Sequence, residues 1–127
     1  KKNIEFDVDL TRTHYLGNEP MMRHVWDNLI SNAIKFSPQN GMIRIGMAKM
    51  QGKVFVSIVD QGPGLSEDAQ KHIFDKFYQA DSSHKQEGNG LGLALVKRIL
   101  TIENGQIKAE NCLDGGCCFT VMLEERE

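Results

Sequence analysis

The segment HVWDNLISNAIKF, residues 24–36, predicts an amphipathic helix with two asparagines in its interior. An interior asparagine costs a helix roughly half a kcal/mol relative to alanine, because its short amide competes for backbone hydrogen bonds. At about 100° per residue, one stripe of this helix carries His24, Asn28, Asn32 and Lys35. Amide oxygens suit Mg²⁺, and a lysine one turn further on could meet phosphate groups. The alternative is a stripe that only faces solvent.

The opposite side of the same helix is apolar, which favours burial of that side against a core. Asp27 and Ser31 would complete the solvated face under the alternative reading. The helix pattern alone therefore leaves both interpretations open. The apolar side consists of Met22, Val25, Leu29, Ala33 and Phe36.

A second candidate is the glycine loop DQGPG, residues 60–64, which follows an apolar strand. Ligand crevices form where strands of open sheets end. Asp60 could accept a hydrogen bond from a purine amine, and Gly62 and Gly64 would let the backbone approach a flat ring. The alternative is a turn held by an Asx hydrogen bond.

A third candidate, GNGLGL at residues 88–93, places glycines at the start of a helix, where they reduce stability. Backbone N–H groups at a helix start form an anion site suited to phosphate. The alternative is a flexible hinge and cap. The spacing differs from the dinucleotide fingerprint, and the chain has no GxxxxGK[ST] loop or HRD/DFG pair. Zinc-ligand spacing, GxSxG and HExxH are also missing from the sequence.

The composition predicts one globular domain over residues 1–127. Fifteen basic and 17 acidic residues nearly balance without long blocks of one sign, which argues against nucleic-acid binding and direct membrane contact. Three cysteines are an odd number and favour a reducing compartment over a disulfide framework. No apolar run is long enough for a membrane span, although a parent protein could have one elsewhere.

Hydrophobic periodicity predicts five strands and three helices. The pair Gln51-Gly52 predicts a hairpin turn, and Ser66 is typical of a helix N-cap. The run 80–90 has no apolar periodicity and indicates a mobile loop. The predicted strands are 3–10, 42–50, 53–59, 106–111 and 117–123, and the predicted helices are 20–36, 66–73 and 91–100.

These elements predict an α/β fold, a two-layer sandwich whose mixed, mostly antiparallel sheet is covered on one face by the helices. The run VFVSIV, residues 54–59, is apolar on both faces and predicts a central strand.

Four motifs in order resemble the boxes of the catalytic ATP-binding domain of two-component sensor histidine kinases. HVWDNLISNAIKFSP is similar to the N box, DQGPGLS to the first glycine box, IFDKFYQAD to the F box and GNGLGLALVKRI to the second glycine box. The closing GGCCFT also resembles the family's last glycine and strand. The wider superfamily includes gyrase, the heat-shock chaperone ATPases and mismatch-repair MutL, and the resemblance implies their Bergerat-type ATP-binding fold.

For the base end of a nucleotide, the resemblance implies that Asp60 reads the adenine amine, with Gly62 and Gly64 as a floor beside the ring. Phe36 would contact the base or ribose. Cys117 would lie near the base, at a position where the family usually has serine or threonine.

For the phosphate end, the resemblance implies that Asn32, with Asn28, coordinates Mg²⁺. Lys35 would contact phosphate and act with Asn28 in catalysis. Residues 80–89 would form a lid over the ATP. The backbone amides offered to the phosphates would be those of Gly88, Gly90, Leu91 and Gly92.

One position bears on the reaction. In ATP-hydrolysing branches a glutamate four residues before the magnesium asparagine serves as general base, whereas this chain has Asn28, and an amide cannot accept the proton. The resemblance therefore implies a domain that orients Mg-ATP for attack by a histidine of a separate dimerisation domain, with relay to a response-regulator aspartate. None of the four histidines is followed by the acidic residue of that phospho-acceptor motif.

Gln79 stands where many members have an arginine that reaches the γ-phosphate, and Lys76, His84 or Lys85 are candidates to supply that charge. Three other functions remain open: a serine kinase of the anti-sigma-factor type, an ATP-driven clamp and a degenerate docking module. Asn28 argues against the first two, and the intact boxes argue against the third. The resemblance implies a cytoplasmic domain of a homodimeric parent that could be membrane-anchored.

Overall fold

The computed structural model describes residues 4–9, 19–75, 92–112 and 115–124. The sequence-predicted features that lie outside these ranges are Lys76, Gln79, Leu91 and the loop 80–90, which includes His84, Lys85, Gly88 and Gly90. The described elements are β1 (Glu5–Asp9), α1 (Glu19–Phe36), β2 (Met42–Met50), β3 (Lys53–Val59), α2 (Glu67–His72), α3 (Gly92–Ile102), β4 (Gln106–Asn111) and β5 (Cys117–Glu124).

The five strands form one sheet in the order β1-β2-β3-β5-β4. β1 runs parallel to β2, and the other three pairs are antiparallel. A parallel pair requires a crossover, and α1 provides it between β1 and β2. The predicted mixed, mostly antiparallel sheet with three helices is confirmed.

The β2–β3 hairpin turns at Gln51 and Gly52, both with positive φ, 55° and 78°. A two-residue turn with both central residues in this region matches the right-handed twist of its strands. The sequence prediction of a hairpin at this dipeptide is confirmed.

One face of the sheet forms the core with α1 and α3. In β3, the residues Val54, Val56 and Ile58 are buried, and the alternate residues are half-buried. The prediction that this strand is central is confirmed, but only its helix-facing side is fully shielded. The helices contribute Met22, Val25, Leu29, Ala33, Val96, Ile99 and Leu100 to the same cluster.

Local hydrogen bonds cap the helix ends, and the N-cap predicted at Ser66 is confirmed. The Ser66 side chain accepts a hydrogen bond from the Ala69 N–H at 3.0 Å, which makes it the N-cap of α2. Beyond α3, Asn104 has φ 63°, and the Gly105 N–H donates to the Leu100 carbonyl at 2.7 Å. No helix in the described residues combines the length and hydrophobicity needed to cross a membrane.

Candidate functional site

The glycine loop begins with a buried carboxylate. Asp60 is 2% exposed, directly after β3, and its backbone N–H donates to the Cys117 carbonyl at 2.9 Å. Its Oδ1 accepts from the Gly62 N–H at 2.8 Å and from the Cys117 N–H at 3.2 Å. Since both donors use Oδ1, the second oxygen takes part in neither bond and is the one suited to accept from a ligand.

Burial raises the pKa of Asp60, and the hydrogen bonds from Gly62 and Cys117 oppose that rise without cancelling it. Moving a carboxylate from water into a protein interior disfavours its charged form. A carboxyl whose pKa is raised by burial, at the end of a central strand, is typical of a functional site.

Gly62 joins the loop to the end of α1. A Cβ at this position would meet the backbone carbonyl of Phe36, and the Asp60 Oδ1 would lie 3.2 Å away on another side. Only glycine allows this approach of the loop to the helix end. Two predicted site residues, Phe36 and Gly62, are therefore neighbours.

The turn before β5 also packs on the aspartate. A Cβ on Gly116 would meet the Asp60 carbonyl oxygen, and Gly116 has φ 89°. Cys117 is 5% exposed; burial, followed by the charge of Asp60, raises the pKa of its thiol to about 12. The thiol is therefore protonated at neutral pH, and all three cysteines are free.

Near the middle of α1, the N box meets the second glycine box. The Asn28 Nδ2 donates to the His24 carbonyl at 2.8 Å, which orients Oδ1 away from that turn of the helix. A Cβ on Gly92 would lie 2.8 Å from this Oδ1. The glycine at the first position of α3 thus makes room for the asparagine amide.

The polar stripe of α1 is only partly exposed to solvent. Asn28, Asn32 and Lys35 are each half-buried, whereas His24 is exposed. The Lys35 Nζ lies 5.4 Å from the centre of the Phe36 ring. The stripe therefore meets the start of α3 at Asn28 and reaches the Phe36 ring at Lys35.

Sequence reasoning missed one residue that contacts this loop. Asn111, the last residue of β4, accepts from the Leu65 N–H at 2.6 Å and donates to the Leu65 carbonyl at 2.8 Å. A Cβ on Gly64 would lie 2.9 Å from the Asn111 Oδ1. A single asparagine at a strand end is also an ordinary turn residue, so its type carried no signal.

The predicted site residues fall into two groups that α1 connects. Asp60, Gly62, Phe36 and Cys117 meet at the end of α1, and Asn28 meets Gly92 near its middle. Gly64 borders the first group through Asn111. Lys76, Gly88, Gly90 and Leu91 lie outside the described residues.

The amide oxygens of the site suit a magnesium ion that has few protein ligands. Where the chain is described, no group of three or more His, Cys, Asp or Glu side chains could hold a metal. Asn28 presents an amide oxygen because its amide N–H₂ bonds to His24. Mg²⁺ keeps several waters and takes few protein ligands besides substrate phosphates, so one or two amide oxygens suffice.

The fold and this site correspond to a known family. The model of the histidine kinase-, DNA gyrase B- and HSP90-like ATPase family matches residues 17–127, and the chain belongs to that family. Among its members, the chain's relatives are sensor histidine kinases, which identifies it as a catalytic ATP-binding domain of that class. The predicted family is confirmed.

Three relatives illustrate the likeness. The heme sensor protein HssS of Staphylococcus haemolyticus is 34% identical over 124 residues, which are 98% of this chain and 27% of that protein. The structure of the mycobacterial sensor histidine kinase MprB has a TM-score of 0.90 at 26% identity, covering 98% of this chain and 85% of that one. Full-length ShkA, solved in complex with AMPPNP, has a TM-score of 0.83 at 29% identity, covering 98% of this chain and 27% of that one.

Proposed function

We propose that this chain binds Mg-ATP and donates the γ-phosphoryl group to a histidine on a separate dimerisation domain, which passes it to a response-regulator aspartate. The chain spans 27% of the length of HssS, so the acceptor histidine would lie in another part of the parent protein. Family membership supports ATP binding by the domain, and the AMPPNP complex of ShkA supports a nucleoside triphosphate as ligand.

The observation that carries the proposal is the placement of two complementary ends along α1. The base end is the buried Asp60 with Gly62 against the Phe36 carbonyl, and the phosphate end is Asn28 beside Gly92. Phe36 and Asn28 are eight residues apart, which is about 12 Å along a helix. This separation suits a nucleotide lying along the helix with its base and phosphates at opposite ends.

At the base end, Asp60 would accept a hydrogen bond from the adenine amine through Oδ2. Gly62 and Gly64 let the loop pack closely on the Phe36 carbonyl and the Asn111 amide, and Phe36 and Cys117 border the same region. A buried carboxylate left without its donor is unfavourable, so this end would discriminate against bases that lack an amine.

At the phosphate end, Asn32 and Asn28 would hold Mg²⁺, and Lys35 would contact a phosphate. Mg²⁺ would neutralise charge that develops on the phosphoryl oxygens. Asn28 cannot act as a general base toward water, because its Nδ2 donates to His24 and an amide oxygen does not take up a proton at neutral pH. ATP would therefore be held for transfer with little hydrolysis.

Transfer from labelled ATP to candidate histidine domains tests the proposal. The wild-type chain should label one such domain in a magnesium-dependent reaction, and Asn32→Ala should lose both magnesium-dependent ATP binding and transfer. Ser31→Ala, an exposed neighbour on α1, is the matched control and should behave as wild type.

Other outcomes would separate the rival functions. Rapid ATP hydrolysis without an acceptor would indicate a clamp ATPase, and labelling of a serine would indicate the anti-sigma-factor type of kinase. A folded chain that binds no ATP would indicate a docking module. Each of these three results would overturn the proposal.

A further inference from the structure

We propose that Asn111 is a positioning residue that fixes the glycine loop beside Asp60 and thereby sets the affinity for the adenine end of ATP. This inference rests on the proposed function, because it concerns the same nucleotide site. Asn111 is distant from the loop in sequence, 46 residues from Leu65, and none of the four motifs includes it.

The contact resembles a short piece of sheet. The Asn111 Oδ1 accepts from the Leu65 N–H at 2.6 Å, and its Nδ2 donates to the Leu65 carbonyl at 2.8 Å. One side-chain amide thus satisfies both backbone groups of one residue, as a neighbouring strand would. Two bonds to the same residue restrain its orientation as well as its position.

The backbone of the loop is built for this approach. Gly64 precedes Leu65 and has φ 86°, and a Cβ there would lie 2.9 Å from the Asn111 Oδ1 and 3.6 Å from the Gly116 carbonyl oxygen. A side chain at this position would therefore collide with the asparagine amide. The glycine and the asparagine serve the same close contact between the loop and the β4–β5 turn.

Hydrogen bonds hold the loop at three places: at Gly62, at Leu65 and at Ser66. Asn111 makes the bonds at Leu65. Gly62 is fixed by the Asp60 Oδ1, and Ser66 is fixed as the N-cap of α2. In the register of β4 and β5, Asn111 lies opposite Cys117, whose N–H donates to the same Asp60 oxygen. Asn111 therefore ties the loop to the strand end that holds the adenine-reading carboxylate.

The value of these two bonds lies in geometry more than in stability. Asn111 is exposed, and hydrogen bonds that compete with water contribute little net free energy of folding. Their loss would allow the loop, which contains two glycines, to sample other conformations. If the binding-competent conformation fell to about a tenth of the population, the apparent Kd would rise about tenfold.

The test compares Asn111→Ala with Glu110→Ala in the complete chain by calorimetric titration of ATP and of adenosine. Glu110 is the exposed neighbour on β4 with its side chain on the other face of the sheet. Asn111→Ala should weaken ATP and adenosine by the same factor, about tenfold, because only the base end is affected. Glu110→Ala should bind both ligands as wild type does.

Three further readouts distinguish positioning from a general structural role. The unfolding midpoint of Asn111→Ala should fall by only a few degrees. In the transfer reaction the KM for ATP should rise while kcat at saturating ATP stays unchanged. Asn111→Asp retains an acceptor for the Leu65 N–H but turns an oxygen toward the Leu65 carbonyl. It should also weaken adenosine binding. This variant replaces the alanine variant in the test if the latter fails to fold.

A double-mutant cycle with Gly64→Ala tests the contact itself. The strain from φ 86° is the same in both backgrounds, whereas the collision with the amide exists only when Asn111 is present. The double variant should therefore lose less affinity than the product of the losses in the two single variants. Independent, multiplying losses would contradict the proposed contact.

Different results would contradict the role of Asn111 and the proposed function. Wild-type binding of ATP together with unchanged adenosine affinity in a folded Asn111→Ala chain would overturn the role of Asn111 alone. A wild-type chain that binds neither ATP nor adenosine would overturn both proposals.

Discussion

At the scale of single residues, Asp60 shows how a functional group is kept at a cost to stability. Its burial raises its pKa, which means that the folded protein disfavours the charged carboxylate relative to the unfolded chain. The two backbone donors at Oδ1 reduce that cost but leave the pKa raised. A buried carboxyl at this position therefore does not add to stability, which fits a group that accepts a hydrogen bond from a ligand.

Replacement of this residue should separate stability from binding. Asp60→Asn keeps an oxygen for the Gly62 and Cys117 donors but places an amide N–H₂ where a ligand amine would donate. ATP affinity should fall on the order of 10- to 100-fold, the effect of losing a hydrogen bond to a charged group. The unfolding midpoint near pH 7 should equal or exceed that of wild type. Unchanged ATP affinity, measured by titration, would contradict the assigned role.

The raised pKa of Asp60 also predicts a pH dependence of base binding. Protonation removes the acceptor, so adenosine affinity should weaken as the pH falls. This weakening should begin at a higher pH than for an aspartate with the ordinary pKa of 3.8. The sign for stability is opposite: the unfavourable contribution of the buried charge is present above the folded pKa and is relieved as the pH falls through it.

Adenosine titrations from pH 4 to 8 measure this effect without the ionisation of ATP phosphates. Asp60→Asn is the control, since it lacks the titrating carboxyl but shares the protonation of the base. Parallel pH profiles for the two proteins would show that another group controls binding.

At the scale of elements, the β4–β5 turn places Gly116 in close contact with the backbone carbonyl of Asp60. Gly115 and Gly116 have nearly the same φ, 91° and 89°. Among the described residues, no atom lies within 4 Å of an added Cβ on Gly115, whereas one on Gly116 would meet the Asp60 carbonyl oxygen. The two glycines thus share conformational strain but differ in their contact with the site.

This pair gives a matched experiment. Gly115→Ala and Gly116→Ala should both destabilise the fold by roughly 1 kcal/mol through the positive φ. Gly116→Ala should lower stability further and should weaken adenosine binding by displacing Asp60. Gly115→Ala should leave the adenosine Kd within twofold of wild type. Equal adenosine affinities for the two folded variants would show that the contact at Gly116 does not position the carboxylate.

At the scale of the whole molecule, α1 has two sides with different tasks. Its apolar side packs with α3 on the sheet, and its polar stripe places Asn28 beside Gly92. Leu29 is fully buried in the core, while its neighbour Asn28 is half-buried on the polar stripe. Adjacent residues of one helix are therefore placed differently, Leu29 in the core and Asn28 at the proposed phosphate end of the site.

Substitution of these neighbours should have opposite effects. Leu29→Ala should cost about 2–5 kcal/mol of stability through the cavity it leaves, lowering the unfolding midpoint by roughly 10–20 °C. The chain that remains folded should bind ATP normally. Asn28→Ala should hold or raise the midpoint, because alanine favours a helix, and should weaken magnesium-dependent ATP binding. Thermal unfolding and ATP titration of both variants test this division. A Leu29→Ala chain that stays folded but loses ATP affinity would refute it.

The sequence alone was sufficient for the features that depend on near neighbours along the chain. Amphipathic spacing predicted α1, the pair Gln51-Gly52 predicted the hairpin, and Ser66 predicted its own N-cap, because each involves residues only a few positions apart. The four motifs in order identified the family. The mobile loop 80–90 and the single-domain organisation stay predictions.

Only the tertiary structure decided which of these features meet. Nothing in the local pattern required β5 to lie between β3 and β4, or β1 to pair in parallel with β2. That strand order brings Cys117 to Asp60 across 57 residues and Asn111 to Leu65 across 46. Such contacts depend on the path of the chain through the sheet, which residue types and short spacings do not encode. The sequence therefore determined the chemical groups and their elements, and the fold determined how the carboxylate and its loop are held.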